Sequence, residues 1–347
     1  MKKKGTPPTV SEVARAANVG TTTVSRVING GDRVSPKTLA HVRGVIEAMG
    51  YRPNQAARVL KGHRTKTIGL IIPSIADPFF SSCAEAVQAV AQANDSLLIV
   101  TASHNDPHSE LENLKILVSH RVDGLILAPA NSQSEGLRDL LKGLSIPIIA
   151  VDRPVADGLV PSVVSDNFKG ARFGTQHLIE HGYKRIVCLT GESTLFTIHE
   201  RMRGYRAAME SAGMPAILNT SVKDYRSAEY AIQSMLSGPN PPDALFTLKN
   251  STTIYAFEVL QKLNVNIPKT IALLGFDDFE LASTVRPSIS VIQQPVEEIG
   301  RVAAELLFEQ LLGIRSVYTP PKVKRSRLVT LETRLIQRNS CGCTPGN

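Results

Sequence analysis

The chain has 347 residues, 42% of them hydrophobic, and a formal net charge of +8 at pH 7. That length exceeds an ordinary single domain and points to a small domain joined to a larger one. Its longest apolar runs, such as Ile68 to Ile72, fall far short of the roughly 18 residues that span a bilayer, so a membrane protein is not expected.

The charge is unevenly placed. Residues 1–66 hold 13 Lys or Arg against 3 Asp or Glu, whereas the rest of the chain holds 26 against 28. A basic first segment on a near-neutral body is the charge pattern of a module that binds a polyanion. Residues 1–8 form a basic tail without the apolar stretch of a secretory signal, so a cytoplasmic location is expected. Four cysteines fit that compartment: Cys83 and Cys188 lie in patterns of buried helix and strand. Cys341 and Cys343 have no second Cys/His pair nearby in sequence, and the reading preferred for them is a plain terminus without a metal.

From Thr9 the pattern is helical. Val10, Val13, Ala14 and Ala17 recur at helix spacing behind a Thr9 cap with Glu12 three residues on. Asn18 and Gly20 break the run. A second helix begins at Thr21, with Val24, Val27 and Ile28 as its apolar stripe and Thr21, Thr22, Ser25, Arg26 and Asn29 as its polar face. Two short helices around a tight turn read as a helix-turn-helix, whose second helix enters the major groove. In that setting Arg26 is suited to a bidentate pair with guanine, and the threonines to phosphate or a thymine methyl. Ser35-Pro36 opens a third helix that Gly50 ends, closing a small core over residues 9–52.

Residues 53–65 read as a hinge too short and weakly apolar to hold a helix without a partner. From Lys66 short apolar runs alternate with amphipathic segments. Candidate strands are Ile68–Pro73, Leu97–Ala102, Gly124–Ala128, Ile146–Val151, Ile186–Thr190, Ala244–Leu248 and Ile271–Gly275; candidate helices include Phe79–Ala93, Ser109–His120, Phe168–His181, Glu200–Ala212 and Thr252–Leu263. This βαβ rhythm predicts an α/β class with parallel sheets covered by helices.

The stretch Thr9–Asn29, then Tyr51-Arg52-Pro53-Asn54, Ala56-Ala57-Arg58-Val59-Leu60-Lys61 and Thr65-Lys66-Thr67-Ile68-Gly69, resembles the lactose-repressor (LacI/GalR-type) family of bacterial transcription regulators, with matching motifs to about Ser340. The resemblance implies a helix-turn-helix headpiece, a hinge helix and a two-lobed core of doubly wound parallel sheets like that of periplasmic sugar-binding proteins. It implies double-stranded operator DNA as partner, a homodimer, no cofactor, and a Leu60 wedge beside Lys61 in the minor groove. Lobe 1 is expected over about 66–164 and 295–322 and lobe 2 over about 165–292 and 323–340, with crossings near Val164–Asp166, Val291–Pro295 and Pro320–Lys324 and a tail at 341–347.

By motif position, the expected effector contacts are Asp77, Phe79, Asp152, Arg201, Phe246, Lys249, Asn250, Asp277 and Gln294. Carboxylates that accept hydroxyl hydrogens, an Arg fork and an aromatic face suit a carbohydrate-like ligand. For each residue alone, capping a helix or filling the core is the competing role. Lys249-Asn250 stands where Asn-Asp is more usual in the family; the extra cation suggests a sugar acid or sugar phosphate, and its rival is an internal salt bridge to Asp277 or Asp278. An enzyme is not expected, since the chain has no GxxxxGK(S/T) loop and no HExxH motif. The alternatives, a sugar-binding protein or a sugar-active enzyme with a basic extension, leave residues 9–61 without a role.

Overall fold

A reciprocal cap starts the first helix. The Thr9 hydroxyl accepts from the Glu12 amide at 3.3 Å while the Glu12 carboxylate accepts from the Thr9 amide at 2.9 Å, so two donors at the helix end are satisfied. The computed structural model describes residues 8–28, 30–52, 64–191, 194–313 and 328–343. It divides into two units, Met1–Thr65 and Lys66–Asn347.

In the first unit α1 (Val10–Ala16) turns through Asn18, whose left-handed φ of 50° suits an asparagine, into α2 (Thr21–Ile28). The third helix, α3 (Pro36–Ala48), is capped by the Ser35 hydroxyl, which accepts from the Thr38 amide, and ends where Gly50 takes φ 60°. Val13, Ala14, Ala17, Val24, Val27, Val42 and Tyr51 form one buried core between the three helices. Each buried valine contributes roughly 1.5–3 kcal/mol. Of the expected hinge, residues 53–63, with Leu60 and Lys61, lie outside the described residues, as does Asn29 of the polar face.

The second unit opens with β1 (Thr67–Ile72), α4 (Pro78–Ala93), β2 (Leu97–Ala102), α5 (Pro107–Ser119), β3 (Gly124–Leu127), α6 (Glu135–Lys142), β4 (Ile148–Val151) and β5 (Ser162–Ser165). It crosses at Asp166 into α7 (Asn167–Glu180), β6 (Ile186–Leu189), α8 (Phe196–Ser211), β7 (Ile217–Asn219), α9 (Tyr225–Leu236), β8 (Ala244–Thr247), α10 (Asn250–Lys262), β9 (Ala272–Phe276) and β10 (Ser290–Gln293). The chain then returns through α11 (Val296–Leu312) to β11 (Leu328–Leu331) and ends in β12 (Arg334–Ile336). One sheet runs β11-β5-β4-β3-β1-β2, all parallel; the other runs β12-β10-β9-β8-β6-β7, parallel except for β12.

Both sheets are buried on two faces, which explains why β1, β3, β4, β6 and β8 read as continuous apolar runs. The α11 residues Ile299, Val302, Ala303 and Leu307 pack in the first sheet's core, so the chain passes back to the first sheet between β10 and α11. The expected third crossing, Pro320–Lys324, lies outside the described residues. β11 pairs with β5 of the first sheet, Leu328 with Ser162, so the chain leaves lobe 1 between Leu331 and Arg334. The physical reason is that β5 would otherwise be a bare edge, which β11 covers.

Candidate functional site

A cavity of about 270 Å³ lies between the lobes, at the carboxyl ends of the strands, where the loops of doubly wound sheets converge. Lobe 1 contributes Asp77 after β1, His104 and Asn105 after β2, and Asp152 and Arg153 after β4; lobe 2 contributes Thr197 and Arg201 from α8, Lys249 after β8, Asp277 after β9 and Gln294 after β10.

Arg201 is the best-fixed of these. Its Nε donates to Asn167 Oδ1 at 2.7 Å, its Nη1 to the Leu248 carbonyl at 2.7 Å and to Asp277 Oδ2 at 3.2 Å, and its guanidinium stacks 3.8 Å from the Phe276 ring centre. Gln294 donates from Nε2 to Asp277 Oδ1 at 2.6 Å, and its own Oε1 is buried without a donor. Across the cavity, Arg153 donates from Nε to Asp152 at 3.1 Å and from Nη1 to Asn105 Oδ1 and the Pro129 carbonyl at 2.7 and 3.0 Å. Asp152 and Asp277 both hold left-handed backbone, φ 65° and 74°. Such conformations cost about 1–3 kcal/mol and persist where surrounding bonds hold them, which here are the two Arg partners and Gln294.

Burial raises the carboxyl pKa of Asp77, opposed by its cap bond to the Phe79 amide, the Lys249 charge and a hydrogen bond from Asn250. Burial likewise raises that of Asp152, opposed chiefly by Arg153 and then Arg201. Fully buried Glu110 of α5 accepts from the Ala130 amide at 2.8 Å, and burial, opposed by that bond and the Arg153 charge, pushes its carboxyl up to about 7. Three carboxylates and three cations therefore face one small space. Each negative charge has a positive neighbour.

Of the residues expected from sequence, Asp77, Phe79, Asp152, Arg201, Lys249, Asp277 and Gln294 line the cavity. Two do not. Phe246 is fully buried in the lobe 2 core, because the β8 pleat turns it under the sheet rather than toward the strand's end. Asn250 opens α10 and reaches the site only through its bond to Asp77. Sequence reading missed the structural roles of Asn105 and Phe276. Asn105 has a left-handed φ of 56° in an Asn-Asp turn, the only advance signal.

In the headpiece Thr21, Thr22 and Arg26 are exposed and Ser25 is half-buried, while Val24 and Val27 face the core, so the polar face of α2 is presented as its spacing predicts. Thr9 is exposed, with its hydroxyl accepting within the α1 cap.

A presented helix-turn-helix joined to a core with a polar small-molecule cleft is the combination of a DNA-binding regulator whose core senses a ligand. Residues 9–54 match the family described as "Bacterial regulatory proteins, lacI family", and residues 65–337 match "Periplasmic binding proteins and sugar binding domain of LacI family". The chain belongs to the lacI family: it is a DNA-binding transcriptional regulator of the repressor type with a sugar-binding class of effector domain, and not an enzyme.

It is 31% identical to the ribose operon repressor of Escherichia coli (strain K12) over 96% of this chain and 99% of that one. A solved complex of the transcriptional regulator CelR with cellobiose is 30% identical, covering 96% of this chain and 99% of that one, with a TM-score of 0.69. The lac repressor dimer bound to operator and the anti-inducer ONPF shares the fold, with a TM-score of 0.86 at 22% identity over 97% and 99% of the two chains. Among the described residues no helix is long and apolar enough to cross a membrane.

Proposed function

We propose that this chain is a cytoplasmic homodimeric repressor that binds an inverted-repeat operator and is controlled by a neutral sugar of about monosaccharide size. The observation that carries the ligand class is the charge balance of the cleft. Arg201 answers Asp277, Arg153 answers Asp152, and Lys249 acts on Asp77. An anionic ligand would have to displace one of these pairings, so the sugar acid or phosphate suggested by Lys249 is the weaker reading. A neutral polyol fits instead: its hydroxyls donate to the carboxylates and to the unpaired Gln294 Oε1, and accept from the guanidinium edges. Phe79 at the rim offers a flat face to the apolar side of a ring.

The volume lies just below the usual range of about 300–1,000 Å³ for ligand pockets, which favours a single ring. A pentose is supported by the ribose operon repressor's name, a larger sugar by the cellobiose complex. One α2 per chain reads one half-site, so a two-fold pair reads an inverted repeat. In this reading Arg26 addresses a base, Thr9, Thr21, Thr22, Ser25 and Asn29 support it, and Leu60 beside Lys61 is the minor-groove wedge. Selection from a randomised DNA library, with and without pools of neutral and acidic sugars, tests this. A palindromic site whose binding shifts with a neutral sugar is expected. Binding without an enriched site, or a response to acids alone, would overturn it.

A further inference from the structure

Among the described residues, a cluster of metal-ligating side chains outside the cleft joins α7 to the segment after β12. His177, in the last turn of α7, and His181, its C-cap, stand one helical turn apart, so both rings share one face and their centres lie 4.2 Å apart. Against that face the segment after β12 brings Cys341 and Cys343. His177 Nε2 is 3.3 Å from Cys341 Sγ and 3.5 Å from Cys343 Sγ; His181 Nε2 is 3.2 Å from Cys343 Sγ; the two sulfurs are 3.3 Å apart. The ligand atoms of His177, His181 and Cys343 all lie within 4.8 Å of one another.

We propose that His177, His181, Cys341 and Cys343 form a structural zinc site. Four ligands about 2.0–2.3 Å from a tetrahedral zinc stand roughly 3.3–3.8 Å from each other; four of the six pairs here, at 3.2–3.5 Å, match that spacing, and closing the tetrahedron brings Cys341 toward His181. Two thiolates and two imidazoles are zinc's preferred donors, and with both thiol protons released the bound site is neutral.

The surroundings prepare the ligands. His181 Nδ1 is 2.9 Å from the His177 carbonyl, which fixes the proton on that nitrogen and leaves Nε2 facing Cys343. The Ser290 hydroxyl donates to Cys341 Sγ at 3.0 Å, as outer-shell donors do to a metal-bound thiolate. The backbone is held independently: the Leu273 amide donates to the Ser340 carbonyl at 2.8 Å, and Ser340 Oγ donates to the Leu273 carbonyl and accepts from the Ser290 amide. The two cysteines thus stand on a fixed loop. His177 and Cys341 are buried, while Cys343 is half-buried, which leaves a path for the metal. All four ligands being protein groups, the site is closed and fastens the last segment of the chain to lobe 2 rather than activating water.

The test uses full-length protein without a polyhistidine tag. Elemental analysis of protein purified from zinc-containing medium should give one zinc per chain. His181→Gln and Cys343→Ser should lose it, and His120→Gln, remote on α5's end, should keep it. Stripped wild type loaded with cobalt should show the visible bands of tetrahedral cobalt and a thiolate-to-cobalt band in the near ultraviolet, a readout independent of how the variants fold. Zinc-free wild type with both thiols titratable and no cobalt bands would overturn the site, as would recovery of Cys341 and Cys343 as a disulfide.

Discussion

Replacing Asp277 by Asn removes a charge from the cleft while leaving the backbone undisturbed. Asp277 sits at φ 74°, a conformation asparagine tolerates, whereas alanine there adds about 1–2 kcal/mol of strain unrelated to the ligand. The carboxylate accepts from Arg201 at 3.2 Å and Gln294 at 2.6 Å, and an amide has only one acceptor oxygen to offer them. A hydrogen bond to a charged group contributes about 1.5–3 kcal/mol, so losing it from the ligand weakens effector binding roughly 10- to 150-fold. Arg201, with 4% of its side chain exposed, keeps its bonds to Asn167 and Leu248, so destabilisation stays below the roughly 3–5 kcal/mol of a buried ion left wholly unpaired. Calorimetric titration with the neutral sugar that shifts operator binding reads the first effect, and thermal unfolding the second. Operator affinity without sugar should not change. An Asp277→Asn protein that binds sugar within twofold of wild type would refute the assignment of this residue to the effector.

Three further outcomes are expected. Arg26→Ala should relax sequence preference at one base pair of each half-site, at a cost of about 1–3 kcal/mol, as read by binding-site selection; an unchanged preference would remove Arg26 from the bases. Burial lifts the Glu110 carboxyl from its ordinary 4.5 to about 7, so between those pH values the folded chain keeps a proton that the unfolded chain releases, and stability falls as pH rises through this window. The full loss is about 3 kcal/mol, and Glu110→Gln should abolish this part of the pH dependence in urea melts; an identical pH profile would contradict it. Gly204→Ala would drive a Cβ from α8 into the Phe168 carbonyl oxygen of α7, forcing the two helices apart. A destabilisation of about 1–3 kcal/mol in urea unfolding is expected, and a neutral substitution would show that the interface yields more easily than its backbone contacts imply.

The parallel strands were legible because a strand buried on both faces must be apolar along its length, as Ile68, Leu70, Ile71 and Ile72 are. The capped headpiece helices were legible because caps are local. Strands β5, β7, β10, β11 and β12 were not legible: each has three or four residues, and β11 alternates between exposed and half-buried, so its place is decided by pairing with Ser162, more than 160 positions away. The cleft followed the same division. Polar residues after apolar runs marked Asp77, Asp152 and Asp277, but periodicity could not tell that Phe246 turns under its sheet while Phe276 lies beneath Arg201. Nor could it bring Cys341 and Cys343 to His177 and His181, since that meeting depends on β12 returning to lobe 2.

Control of DNA binding by a neutral sugar between the lobes is open to a closed linkage cycle. Sugar affinity would be measured on free and operator-bound protein, and operator affinity with and without saturating sugar. Both pairs should change by the same factor, about 5- to 150-fold for a coupling of roughly 1–3 kcal/mol. A sugar that binds in the cleft and leaves operator affinity untouched would contradict it.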